Sequence, residues 1–142
     1  MLRGFPEGSM ASVEGGCLCG AVRYRLTAAP LYSVICHCVS CRKASAAPSV
    51  AWLTVRAGDF QLLRGVPRGF RSSAGVLRTF CERCGTPLTY VNERSEGSID
   101  LTTVSLDDPA RFAPTKEGWL EDKLPWEVTN PHLEQHARGT GG

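Results

Sequence analysis

Gly16-Cys17-Leu18-Cys19-Gly20 and, far downstream, Phe80-Cys81-Glu82-Arg83-Cys84-Gly85 are the stretches that decide the fold of this chain. Thiols separated by one or two residues are spaced to hold a small metal ion, because a short turn can deliver sulfurs from both of its ends to one centre. A plain strand would place the Cα atoms of Cys17 and Cys19 about 6.6 Å apart, at roughly 3.3 Å per residue. Two thiolates on one tetrahedral zinc lie only about 3.8 Å apart, given bonds of about 2.3 Å. The flanking glycines supply the bend that closes this gap. Cys81-x-x-Cys84-Gly85 has the form of a knuckle turn, with Gly85 free to take a positive φ. The two pairs together make one four-thiolate site that joins an early strand to a late one.

The remaining cysteines form a single run, Cys36-His37-Cys38-Val39-Ser40-Cys41, so that all seven cysteines fall into clusters. Four ligands close a tetrahedral zinc site and make it structural, whereas three leave one position free, as catalytic zinc requires. Cys17, Cys19, Cys81 and Cys84 are therefore expected to hold a structural zinc. Cys36, Cys38 and Cys41 are expected to hold a catalytic one, which gives two zinc ions per chain.

A chain of 142 residues with a net charge of +2 fits one domain and offers no electrostatic argument for nucleic acid or membrane. No apolar run approaches the roughly 20 residues needed to span a bilayer. The N-terminal stretch has no apolar core of signal-peptide type, so a cytoplasmic location is expected, where thiols stay reduced. An odd cysteine count and such short spacings oppose a disulfide scaffold. Gly85-Thr86-Pro87 after Cys84 opposes the helix that a thioredoxin-like pair would need.

Around the clusters the chain reads as mainly β. Ala21–Leu26 alternates with period two. Val50–Val55, Phe60–Leu63, Val76–Phe80, Leu88–Val91 and Ser98–Val104 are further strand candidates, separated by glycine-marked turns. Only Val39–Ala47 and a short turn at Leu106–Arg111 read as helical. Residues 1–13 and 137–142 are expected to be flexible ends, leaving 14–136 as the single folded unit.

Cys36 ends the apolar run from Leu31 to Ile35 and Cys41 lies in the first turn of the expected helix, so the triplet gathers at a strand-to-helix turn. Three thiolates on Zn(II) carry a net charge of −1. Helix N–H groups, Arg42 and Lys43 would offset it. His37, lying between two ligands, is expected to point away from their metal and to orient the loop by hydrogen bonding. His132 and His136, at i and i+4, have a metal-compatible spacing if helical. Trp52, Trp119 and Trp126 are candidates to line a pocket over the open position. Arg68, Arg71 and Arg78 are candidates to bind carboxylates of a ligand. Two readings remain: a zinc enzyme whose free position takes substrate, and a non-catalytic zinc module that binds a protein or a small thiol.

Five motifs, in order, carry a family resemblance: Gly16–Tyr24 (GCLCGAVRY), Cys36–Lys43 (CHCVSCRK), Phe80–Leu88 (FCERCGTPL), Ser105–Pro109 (SLDDP) and Lys123–Trp126 (KLPW). Together they resemble the glutathione-dependent formaldehyde-activating enzyme (GFA) family, whose domain is shared with centromere protein V. The resemblance implies a β-tent fold of small antiparallel sheets stapled by zinc, with the same division of the seven cysteines into structural and catalytic sets. It also implies a carbon–sulfur lyase acting on a small thiol such as glutathione and an aldehyde such as formaldehyde. Where family members often carry Ser-Gly-Ala after the triplet, this chain has Ser45-Ala46-Ala47. Where they often carry a histidine two residues before the late tryptophan, it has Glu117.

Overall fold

In a computed structural model, residues 13–95 and 97–140 are described. Of the ends expected to be flexible, residues 1–12 and 141–142 lie outside the described residues; Val13 is buried, and the Ala137 and Arg138 carbonyls accept from the Glu121 and Trp119 amides. The fold is mainly β, with one α-helix among the described residues, α1 (Val39–Ser45). Strands β1 (Glu14–Gly16), β2 (Arg23–Leu26) and β5 (Phe60–Arg64) form a small antiparallel sheet. The larger sheet contains β3 (Tyr32–Cys36), β4 (Val50–Arg56), β6 (Arg68–Ser73), β7 (Val76–Phe80), β8 (Pro87–Asn92), β9 (Ser98–Thr102), β10 (Lys116–Gly118) and β11 (Glu134–Gln135). Its order is β11-β10-β3-β4-β9-β8-β7-β6. It is antiparallel from β3 to β6, and only the β10 edge pairs in parallel, with β3 and β11.

Alternation along the central strands separates two faces. Leu53 and Val55 of β4, Leu88 of β8 and Leu101 of β9 turn toward the small sheet, where they bury Tyr24, Leu26, Val22 and Phe112 in one apolar core. The Tyr24 hydroxyl is satisfied at 2.6 Å by Ser105 Oγ, as a buried phenol requires. Each fully buried side chain of this kind stabilises the fold by about 1.5–3 kcal/mol relative to exposure. The other face carries Trp52, Thr54, Asp100, Tyr90 and Arg78, and it forms the floor of a cavity.

The six strands expected from periodicity are all present, with shifted ends: Arg23–Leu26 within the expected Ala21–Leu26, and Ser98–Thr102 within Ser98–Val104. Thr103–Ser105 instead turns in a 3-10 helix, as does Pro109–Phe112, which is all that forms of the expected Leu106–Arg111 helix. Pro109 fits an N-terminal turn but lacks the N–H needed to continue a ladder. His132 and His136 do not share a helix. Glu134 and Gln135 between them pair in parallel with Lys116 and Glu117, and the His136 ring bonds Glu134 at 2.8 Å. No helix among the described residues is long and apolar enough to cross a membrane.

Candidate metal centres and the adjoining cavity

The four-thiol site lies where the two sheets meet. The chain leaves β1, turns through Cys17–Gly20 and enters β2; the amide of Gly20 bonds the Cys17 carbonyl at 3.1 Å. Gly20 takes φ +80° and Gly85 takes φ +81°, left-handed values that a side chain would disfavour. The two turns bring the four sulfurs within 4.8 Å of one another. Cys17 Sγ lies 3.6 Å from Cys19 Sγ, and Cys19 Sγ lies 3.8 Å from Cys81 Sγ. Those are the edges of a tetrahedron with metal–sulfur bonds of about 2.3 Å, so the donors fit one small ion.

Thr86, which the sequence reading did not single out, ties the two turns together. Its Oγ1 accepts from the Leu18 amide at 3.0 Å and lies 3.2 Å from Cys84 Sγ. Hydrogen bonds from the Thr86 hydroxyl and amide pull the Cys84 thiol down to about 5, toward the thiolate a metal needs.

The triplet is built differently. Cys36 ends β3, Cys38 caps α1 and Cys41 lies in its first turn. The Cys38 sulfur accepts the Cys41 amide at 3.3 Å. The three sulfurs lie within 4.8 Å of one another, and among the described residues no further His, Cys, Asp or Glu joins them. Hydrogen bonds from the Cys36 and Cys41 thiols push Cys38 well below the ordinary thiol range, with the Cys41 amide and the Arg78 charge adding to the effect.

The cation beside the triplet is Arg78 of β7. Both of its terminal nitrogens lie 3.8 Å from Cys41 Sγ. Its Nε donates to Ser72 Oγ at 3.0 Å, and its guanidinium stacks 4.9 Å from the Tyr90 ring centroid. Arg42, expected to offset thiolate charge, instead donates from Nε to the His37 carbonyl at 3.2 Å. Lys43 is exposed on α1. Alternation along β7 could have shown that Arg78 faces away from Leu77, but not that the triplet stands above it; that depends on the order of five strands.

His37 turns away from the triplet. Its Nε2–H donates to Glu117 Oε1 at 3.0 Å, and both side chains are 3% exposed. Glu117 Oε2 accepts from the Asn130 amide at 2.9 Å and from Gln135 Nε2 at 3.0 Å. Burial alone would raise the Glu117 carboxyl, but His37, Gln135 and Asn130 together bring it below its ordinary value. Glu117 therefore anchors the back of the metal loop to β10 and β11, and it is absent from the cavity lining. Sequence reading marked this residue as a departure without showing its partner.

The cavity above the triplet has a volume of ≈ 410 Å³. Trp52 and Trp119 line it, together with Cys36, Cys38, Cys41 and Arg78. Trp126 is 71% exposed and lies elsewhere. Arg68 and Arg71 are also outside the lining, on the exposed edge strand β6, where they face Glu82 and Glu93. Of the three arginines considered for ligand binding, only Arg78 reaches the cavity.

Two sheets joined at a four-thiol site, with a three-thiol site opening on a cavity, describe a mainly β domain whose cysteine clusters could hold metal ions. The sequence pattern of the glutathione-dependent formaldehyde-activating enzyme family matches residues 12–122. The chain belongs to that family. A crystal structure of a Rhodobacter sphaeroides protein is similar in fold, with a TM-score of 0.57 and 21% identity over 66% of this chain and 87% of that one.

Proposed function

We propose that this protein is a zinc-dependent carbon–sulfur lyase that forms and breaks adducts of a small thiol, such as glutathione, with an aldehyde. The observation that carries this reading is the contrast in donor number: Cys17, Cys19, Cys81 and Cys84 gather four sulfurs, while Cys36, Cys38 and Cys41 gather three beside a cavity, which would leave a bound metal one position free. All-thiolate donor sets suit zinc, which takes tetrahedral sulfur ligation without redox chemistry. Zinc bound there would supply Lewis acidity that keeps a substrate thiol in its nucleophilic thiolate form.

The chain's own residues do the rest. Arg78 offsets the negative charge of the triplet, and of a fourth thiolate beside it, in a site where burial strengthens the interaction. Trp52 and Trp119 exclude water from the cavity, and the His37–Glu117 pair fixes the loop that sets the ligand positions. In the addition, the thiolate sulfur pair forms the bond to the aldehyde carbon. The carbonyl π pair moves to oxygen, which then takes a proton. The reverse sequence breaks the same bond. The reduced state of seven clustered thiols suits a cytoplasmic location.

Exchange NMR of glutathione with formaldehyde tests this reading. Zinc-loaded protein should broaden and average the free-thiol and adduct signals well beyond the uncatalysed mixture. No acceleration with fully loaded protein would remove the named reaction.

A further inference from the structure

The cavity has a second polar end. Across the large sheet, Tyr32, Thr54, Asp100, Tyr90 and Arg78 stand opposite one another in unbroken register on five neighbouring strands. All five line the cavity. Asp100 occupies the middle of this row. Its Oδ1 accepts from the Thr54 hydroxyl at 2.5 Å, and among the described residues no Lys, Arg or His forms an ion pair with it. Burial pushes its carboxyl up, and the Thr54 hydrogen bond offsets this only in part. A half-buried carboxyl without a cation is costly in a structural role, and a cavity wall is where such groups serve ligands.

Sheet spacings place Asp100 apart from the reacting end. It lies two strands across and four positions along from Cys36, or roughly 16 Å between Cα atoms, given strand spacings of about 4.8 Å and a rise of about 3.3 Å. Trp52, which packs with Cys41, and Tyr90 fill the floor between, with ring centroids 5.8 Å apart. Asp100 is not among the groups gathered at the three sulfurs, and it suits a part of the same molecule beyond the Trp52 and Tyr90 rings. Arg78, the only cation among the described lining residues, is engaged by Cys41. The far end thus favours a positive group over a carboxylate.

We propose that Asp100, held by Thr54, is the specificity-determining residue of a two-ended substrate site, and that it receives an ammonium group on the thiol whose sulfur goes to the Cys36–Cys38–Cys41 end. This deepens the thiol–aldehyde reading and rests on it for the identity of the sulfur end. A charge-assisted hydrogen bond in a shielded site separates ligands with and without the ammonium by about tenfold or more.

The test uses zinc-loaded full-length protein and two probes, glutathione and its N-acetyl derivative, which differ at the amine. Calorimetry should show glutathione binding at least about tenfold more tightly to the unsubstituted protein. Asp100→Asn, of nearly equal size, should bind both probes alike, with zinc content unchanged and any turnover altered in KM rather than kcat. Equal affinity of the two probes for the unsubstituted protein overturns the proposal without needing the variant, as does a failure of both thiols to bind. Discrimination by amine without exchange of the formaldehyde adduct would leave the subsite standing while removing the lyase reading. Exchange without discrimination would do the reverse.

Discussion

The two thiol clusters use the same ligand type to opposite ends. Cys17 and Cys81 are built into the main core, at 7% and 1% exposure, among Tyr24, Leu88 and Leu106. Their site joins segments from both sheets, so a metal held there would also hold the fold. The triplet draws all its ligands from one strand-to-helix turn and belongs to a small separate cluster with Val50 and Trp52. It closes no long loop, and it faces a cavity. On the proposed reading, a ligand set contributed by distant segments makes structure, while a local set leaves room for chemistry.

The largest expected effect breaks this contrast most directly. Cys81→Ser removes a buried ligand at the sheet junction and should abolish cooperative unfolding, with loss of several kcal/mol. Cys38→Ser should keep the far-UV circular dichroism of the fold and lose one metal of two by elemental analysis. Unfolding of both variants alike would mean that the triplet is structural too. A graded chelator titration of the unsubstituted protein makes the same point by rate: one metal should leave with the thermal transition intact, and the second only with unfolding.

Next in size is the effect of Arg78. Arg78→Gln keeps a polar side chain but removes the positive charge 3.8 Å from Cys41 Sγ. Groups that support metal ligands in this way contribute roughly 10–100-fold in metal affinity. Competition with a chromogenic chelator should show that loss at the triplet alone. An equal loss at the four-cysteine site would show that the substitution damages the fold rather than the charge balance.

How much of the fold is legible in the sequence follows from the same contrast. The clusters were legible because ligand spacing is local, and the strands because Ala21–Leu26 alternates and Val50–Val55 is apolar and β-branched, with glycines marking the turns between. Strand β6 escaped because Arg68–Ser73 is exposed on nearly every residue, so no face of it is marked by burial. β10 escaped because Lys116, Glu117 and Gly118 are all buried, which is the inverse of what their side chains suggest; Glu117 is satisfied by His37, and Lys116 lies 5.4 Å from the Tyr32 ring centroid. The roles of Arg78 and Asp100 were out of reach for a different reason. Each depends on which strands are neighbours, and local periodicity carries no information about strand order.

Ala46 offers a smaller test on the triplet's side of the comparison. It ends α1 with φ 50° and ψ 45°, in the left-handed region, where an L-residue loses roughly 1–2 kcal/mol. Glycine removes that strain but adds freedom to the unfolded chain. Ala46→Gly should therefore raise stability by about 0.5–1 kcal/mol, seen as a higher denaturant midpoint with an unchanged slope. Because the helix carries Cys41 but not the four-thiol site, metal retention at Cys17, Cys19, Cys81 and Cys84 should not move. A loss of stability would show that the left-handed turn is not strained here.

The smallest expected effect lies on the other side, beside the four-thiol site. Arg23 of β2 grips Asp107 through two hydrogen bonds, of 2.8 and 2.6 Å. This holds the Asp107 carboxyl below its ordinary value, against the opposing effect of burial. A depressed carboxyl contributes stability above the unfolded value of about 3.9 and loses it as the pH falls through the folded value. Asp107 is 55% exposed, so water and salt screen the pair and its contribution stays below about 1 kcal/mol. Asp107→Asn should accordingly lower stability slightly at neutral pH, and the gap between variant and parent should close in acid, as the pH falls through the lowered folded value. Denaturant titrations at both pH values check this. A gap that persisted in acid would assign the loss to packing around the β2 turn rather than to charge. The stapled side of the molecule would then owe more to the shape of that turn than to the ion pair across it.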